Sequence, residues 1–349
     1  MNKFKFVQKN VIKHSPVPKN NTKIKNFFKS KINLFLLFLI SICLLAGIIT
    51  LFLNNAPLKK VANLNLDKNM PPYWNWNFEY STKYNAENNI SQAIQKFLED
   101  NNLPYFIGKK NGALETKIYF NLNDFFQAQK IQIKPFLGTD SQGKDVFIYS
   151  GQLFTKSIAI AATIFAFELF FGLFIGVYLA SKKQISLQII KTINVFISIP
   201  DIVTILLVIL FTSNWYIIYF VIFLTGTFRM IYWAYQYGVY EFNQAYIDAL
   251  ISNNVSLIRI IWLHIIPKII GKILIIFIRR ISYIIFLIAT LEFIGANTQN
   301  NIGSLFKDNW NKRDENLWQI WYPTFYLLIF FVSLQLIAIN LAKTLDQRR

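Results

Sequence analysis

Residues 34–53 read LFLLFLISICLLAGIITLFL, twenty positions without a charged side chain. At about 1.5 Å rise per residue this run spans the roughly 30 Å hydrocarbon core of a bilayer, so a transmembrane helix is expected. The arm ahead of it, residues 1–33, carries nine lysines and no acidic residue. A cleaved signal peptide has a similar order of basic and apolar parts, but with a small-residue cleavage site behind them. The long arm and the lack of a clean cleavage pattern favour a permanent anchor.

Further apolar runs lie at about 157–180, 193–212, 215–237, 269–294 and 322–342, making six spans in all. If the lysine arm stays inside, the chain alternates across the bilayer and both termini are cytoplasmic. Lys182, Lys183, Lys191, Lys343, Arg348 and Arg349 then fall in short inner segments, whereas the outer loop 296–321 balances three basic residues against three acidic ones. The whole chain has 349 residues, 54% hydrophobic and only 15% charged, with a net charge of +18. Soluble domains carry about 25% charged residues, so the composition points away from a purely cytosolic protein. Because the positive charge follows the inner ends of spans, it reads as an orientation signal, and no nucleic-acid partner is expected. The single cysteine, Cys43, excludes an internal disulfide framework. His14 and His264 lie far apart and leave no metal site to expect.

Between the first two spans, residues 54–156 are polar and interrupted by Pro57, Pro71, Pro72, Pro104 and Pro135. Ile90, Ala93, Ile94, Phe97 and Leu98 recur at helical spacing, and KIYF at 117–120 reads as a short strand. A small α+β extracytoplasmic insert is expected, near the lower size limit for an independent core.

Residues 238–268 (GVYEFNQAYIDALISNNVSLIRIIWLHIIPK) are too polar for a span. Apolar positions recur at three and four residues on either side of Asn253-Asn254. Asn tolerates the left-handed backbone that ends a helix, and Ser256 is placed to cap the next one. Two short amphipathic helices joined by a tight turn are expected. They either dock into a groove on a soluble partner or lie on the lipid surface.

Here the chain resembles the permeases of bacterial ABC importers. Tyr246-Ile247-Asp248-Ala249-Leu250 through Asn254, then Arg259-Ile260-Ile261 and His264-Ile265-Ile266-Pro267, is similar to their coupling-loop motif. That motif reads E-A-A, three residues, then G, and continues in the peptide-transporter branch as R-I-I-x-x-H-I-L-P-N. Leu250 departs from it, and Asn254 stands at the glycine. Leu137-Gly138-Thr139-Asp140-Ser141-Gln142-Gly143-Lys144-Asp145-Val146 resembles L-G-T-D-x-x-G-R-D-V of the C-type subunit of dipeptide and oligopeptide permeases. Two glycines among Thr, Ser and Asp make a tight hydrogen-bonded turn that sets the start of the next helix. Leu291-Glu292-Phe293-Ile294-Gly295 is similar to L-S-F-L-G, and Leu345-Asp346-Gln347-Arg348 to L-D-P-R. The four matches occur in family order, from about 137 to the end of the chain, together with the first span.

The resemblance implies a six-span all-α membrane permease, not itself an enzyme. It would form the pathway with a second permease, two ATP-binding subunits would use ATP and Mg, and a substrate-binding lipoprotein would deliver peptide. Nickel or another small solute is the alternative substrate, because the same signatures occur across that branch. Nothing in the chain reads G-x-x-x-x-G-K-[ST], so it has no phosphate-cradling loop of its own. An ATP-independent channel and an intramembrane enzyme are the rivals from other classes. No His-Glu-x-x-His or Gly-x-Ser-x-Gly set supports the latter.

Four charges fall near the middle of expected spans: Glu168, Asp201, Arg279 and Arg280. Each costs about 2.5–3.5 kcal/mol if isolated at a span's centre. They are expected to meet as at least one Arg–carboxylate pair or to line a wet pathway. Consecutive helical residues point about 100° apart, so Arg279 and Arg280 should not share a partner. Arg229 is placed in the inner half of its span, Lys268 and Lys272 are expected to snorkel, and Glu292 to reach water. His264 reads as a packing or hydrogen-bonding residue, and Cys43 as a small hydrophobe in a lipid-facing run. Trp74, Trp76, Trp215, Trp310, Trp318 and Trp321 fit interface anchors, or platforms on which a peptide or receptor stacks.

Overall fold

The computed structural model describes residues 27–53, 68–73, 79–109, 115–129, 135–310 and 317–345. Residues 1–26 of the basic arm, Trp74, Trp76 and Asp346-Gln347-Arg348 lie outside the described residues.

Helix α1 is Lys31–Leu51, the apolar run quoted above. After it comes a small α+β unit. Strands β1 (Glu79–Lys83) and β2 (Tyr105–Gly108) both pair antiparallel with β3 (Lys117–Asn121), giving the order β1-β3-β2. Helix α2 (Asn89–Asp100) starts at Asn88, whose side chain accepts the amide of Ile90, and α3 (Leu122–Ala128) is capped in the same way by Asn121. Alternation along β3 buries Ile118 and Phe120 against Ile94, Leu98, Phe125 and Phe126. The unit therefore has its own core, built on the helical repeat and the KIYF strand read in the sequence.

Helix α4 (Val146–Ala180) has 35 residues, roughly 50 Å at 1.5 Å per residue. It begins well upstream of the expected span start at 157, inside the stretch read as insert. Asp145 explains the position: its carboxylate accepts the amides of Phe147 and Ile148 at 2.8 and 3.1 Å and so fixes the first turn. α4 packs along α7 (Trp215–Phe242) through small residues. A Cβ added at Gly176 would lie 2.7 Å from the Ala234 methyl, so these helices approach as small-residue pairs do in membranes.

The third expected span is broken. Helices α5 (Lys183–Ser198) and α6 (Asp201–Phe211) meet at Ile199-Pro200, with a bend of 75°. Pro200 lacks an amide hydrogen and drives Ile199 into extended backbone.

After α7 come α8 (Ala245–Ser252) and the single turn α9 (Leu257–Ile260), which passes through a π-helical turn at Ile261–Ile265 into α10 (Ile266–Ile294). The stretch bends by 59° between Leu257–Ile273 and Ile278–Ile294. Helices α11 (Ile302–Trp310) and α12 (Trp318–Leu345) follow. Among the described residues, α1, α4, α7 and α12 are each long and apolar enough to cross a membrane, and the spans reach six if each bent pair counts as one. The main core lies where α4, α7 and α10 meet, around Phe165, Ile222, Ile284 and Ile288. Large apolar side chains remain exposed along the outer faces, such as Phe35, Phe38 and Phe170, as lipid or membrane partners require.

Candidate functional site

Three of the four intramembrane charges come together. Glu168 of α4 is 0% exposed, Asp201 of α6 2% and Arg280 of α10 8%. Arg280 Nε donates to Glu168 Oε2 at 2.9 Å and Nη2 to Oε1 at 2.7 Å, a bidentate pair. Its Nη1 reaches Asp201 Oδ2 at 3.2 Å. The fourth member is Arg229 of α7 and not Arg279. Arg229 Nη2 donates to Asp201 Oδ1 at 2.8 Å, and the side chain is 35% exposed. Two acids and two bases thus neutralise one another where α4, α6, α7 and α10 meet.

Gly226 of α7 makes room for this pair, because a Cβ there would overlap the Glu168 carboxylate and the Arg280 guanidinium. Asp201 lies in the first turn of α6, where unsatisfied amides favour a negative charge. The break at Pro200 therefore positions one acid of the network. Arg229 was missed because its span was expected to end at 237. The helix runs on to Phe242, and Arg229 is central in it. Arg279 points away from the network and is exposed, as the 100° step between neighbouring residues requires.

The 238–268 stretch contains the expected turn. Asn254 has φ 56°. The Val255 amide donates to Leu250 O at 3.1 Å and the Asn254 amide to Ile251 O at 3.0 Å, the paired bonds of a Schellman ending. Two expectations fail here. Ser256 stands at the cap position without a side-chain cap bond. The second helix is also not separate, since the π turn that holds His264 joins it to α10, and a π turn carries an extra residue without ending the helix.

The base of this element is held from both sides. Ile247 is wholly buried among core isoleucines. Lys268 Nζ lies 3.5 Å above the Tyr246 ring, and Tyr246 Oη reaches Glu241 Oε2 at 3.4 Å. Lys272 Nζ is 3.7 Å from Glu241 Oε1 and 4.9 Å from the centre of the Tyr240 ring. These lysines, both exposed, also serve as clasps between α7, α8 and α10. The tip faces outward: Asp248, Ala249, Asn254, Arg259 and Pro267 are exposed, His264 is half-buried, and Ile251, Ile258 and Leu263 add exposed apolar surface.

The turn at 137–146 is a structural joint. Gly138 and Gly143 have φ of 74° and 79°. Asp140 Oδ1 accepts the amides of Gln142 and Lys144 at 2.8 and 2.9 Å. Burial pushes its carboxyl above the usual range, with the two amides pulling the other way. Thr139 Oγ1 accepts the Met70 amide at 2.9 Å, and Thr139 O accepts from Gln319 Nε2 at 2.7 Å. The turn thereby ties the α+β unit and the starts of α4 and α12.

Two further residues differ from expectation. Glu292 is only 5% exposed; it accepts from the amide of Thr298 at 2.8 Å and from the Thr298 hydroxyl. The left-handed Gly295, φ 108°, folds the chain back so that Thr298 meets it, which keeps Glu292 from water. Cys43 is buried and does not face lipid, and its carbonyl accepts from the Tyr326 hydroxyl.

The described residues thus form a helical bundle with four to six candidate membrane spans, internally neutralised charges and an exposed, clasped hairpin. Residues 169–349, just over half of the chain, match the family described as binding-protein-dependent transport system inner membrane component, and the chain belongs to that family. It is therefore an ABC transporter permease subunit, a multi-pass inner-membrane protein that works with ATPase and other subunits. The matched region holds the hairpin, Asp201, Arg229 and Arg280; the 137–146 turn and Glu168 precede it. Among curated proteins, none matches the chain in sequence.

Proposed function

We propose that this subunit imports short peptides, with a second permease completing the pathway and two partner subunits hydrolysing MgATP. Transfer of a nucleotide-driven movement into the bundle is supported by one observation above all: the exposed hairpin is clasped at its base to α7 and α10. These helices carry Arg229 and Arg280. A push on the tip therefore bears on the two helices whose arginines hold the acids of α4 and α6, as a rigid-body switch between openings demands.

Peptide as the cargo rests on the resemblance of the Leu137–Val146 turn and of the R-I-I-x-x-H-I-I-P run at 259–267 to the peptide-permease branch, whose signatures nickel permeases share. Both termini are cytoplasmic in this reading, the α+β unit is extracytoplasmic, and a substrate-binding lipoprotein docks on that side. Reconstitution with the ATPase and sister subunits in proteoliposomes tests the assignment. ATP-dependent accumulation of labelled di- to pentapeptides is the expected result. Nickel uptake in its place overturns the substrate, and solute flux without the ATPases overturns the transporter reading.

A further inference from the structure

Arg279 and an apolar groove share one face of α10. The groove, about 570 Å³, is lined by Phe286 and Phe293 of α10, Trp310 of α11 and Phe331 of α12. Phe293 and Trp310 meet edge to face at 5.5 Å between ring centres. Thr290, the polar residue on the α10 side, donates its hydroxyl to Phe286 O at 2.8 Å and so offers the groove little polarity. Residues seven apart on a helix lie nearly above one another. Arg279, Phe286 and Phe293 therefore form one row on the segment Ile278–Ile294, beyond the bend, and all three are exposed. Among the described residues no ion pair holds Arg279.

An exposed guanidinium halfway along a span is costly against lipid, so this face meets water or an anionic group. The polarity of the row is wrong for a membrane lipid. A lipid puts its charge at the surface and its chains at the centre, whereas here the charge is central and the apolar groove lies toward the Ile294 end. We infer that Arg279 and the groove form a substrate subsite on the pathway wall, which takes a short peptide with apolar side chains in the groove and its terminal carboxylate on Arg279. The spacing fits: Arg279 to Phe286 is about 10 Å along the helix, and an extended chain covers that in about three residues. This inference rests on the peptide-import reading and adds to it a preference for a free carboxylate.

The test compares uptake of tri-leucine and its C-terminal amide by the complete transporter in neutral-lipid proteoliposomes. The wild type is expected to prefer the free acid. Arg279→Gln should raise KM for the acid about tenfold or more, the scale of a lost charged hydrogen bond, and raise that for the amide much less. Arg279→Lys should retain most of the preference. Phe286→Ala should raise KM for tri-leucine and not for triglycine. Any preference set by the delivering receptor is common to all variants and cancels in the ratio. Equal loss for acid and amide overturns the subsite, and so does dissociation of the sister permease from Arg279→Gln, which would make the face a subunit contact. No uptake of any peptide by the wild type overturns the import reading together with this one, whereas peptide uptake without an acid preference overturns the subsite alone.

Discussion

Arg280 and Glu168 form a bidentate pair, 2.9 and 2.7 Å, between α10 and α4, with neither side chain more than 8% exposed. The second acid, Asp201, bridges Arg280 to Arg229. Breaking a buried pair by removing one partner costs about 3–5 kcal/mol, whereas replacing both by apolar or neutral groups is often close to neutral. Arg280→Met is therefore expected to lower the thermal midpoint in detergent sharply, and Glu168→Gln added to it should recover much of the loss. Uptake should stay low in both if the pairing also carries the switch between openings. A double variant no more stable than the single one would refute the pairing. Gly226→Ala should resemble the single variant, because its methyl overlaps the same carboxylate.

The hairpin tip makes a different prediction. At φ 56° Asn254 occupies the left-handed region, which costs a side chain with a Cβ about 1–2 kcal/mol and glycine much less. Asn254→Gly should keep co-purification with the ATPase subunits at the native level or better, while Asn254→Val should weaken it. Equal behaviour of the two variants would show that the turn does not shape the docking surface.

At the hairpin's base, Lys268 over Tyr246 is a cation–π contact, worth about 0.5–2 kcal/mol. Tyr246→Ala and Lys268→Ala should leave the tip able to bind the ATPases but loosen its hold on α7 and α10. The expected signature is ATP hydrolysis near normal with uptake reduced severalfold. Parallel loss of both activities would place the clasp in assembly instead.

How much of this was legible in the sequence depended on how local the cause was. The turn at Asn254 and the strand at 117–120 follow from backbone preference and alternation, which neighbouring residues determine. The charge network was half legible. Burial cost alone said that Glu168, Asp201, Arg279 and Arg280 should form at least one pair or line a wet pathway. Which arginines joined the acids depended on helix ends and facing, and span ends are poorly marked where apolar residues run into tyrosines. Glu292 depended on Thr298, which meets it only after Gly295 reverses the chain. The π turn at Ile261–Ile265 has no local signature, since any apolar helical run can accommodate it.

The 137–146 turn gives the last prediction. Asp145 caps α4 with two amides, and Asp140 holds two more within the loop. Loss of a capping side chain costs about 0.5–2 kcal/mol, so Asp145→Ala should lower the thermal midpoint modestly and Asp145→Ser should restore most of it. Gly138→Ala should be worse. Its φ of 74° is unfavourable for alanine, and the added methyl would overlap the Met70 carbonyl on the α+β unit, so no small adjustment of the turn relieves both. Because Thr139 also takes the Gln319 amide, that variant should loosen the start of α12 as well as α4. Hydrogen exchange over residues 146–150 and 318–324 checks this: faster exchange in both segments is expected for Gly138→Ala, but only in the first for Asp145→Ala. Unchanged exchange at 318–324 in Gly138→Ala would show that the turn starts one helix and joins nothing.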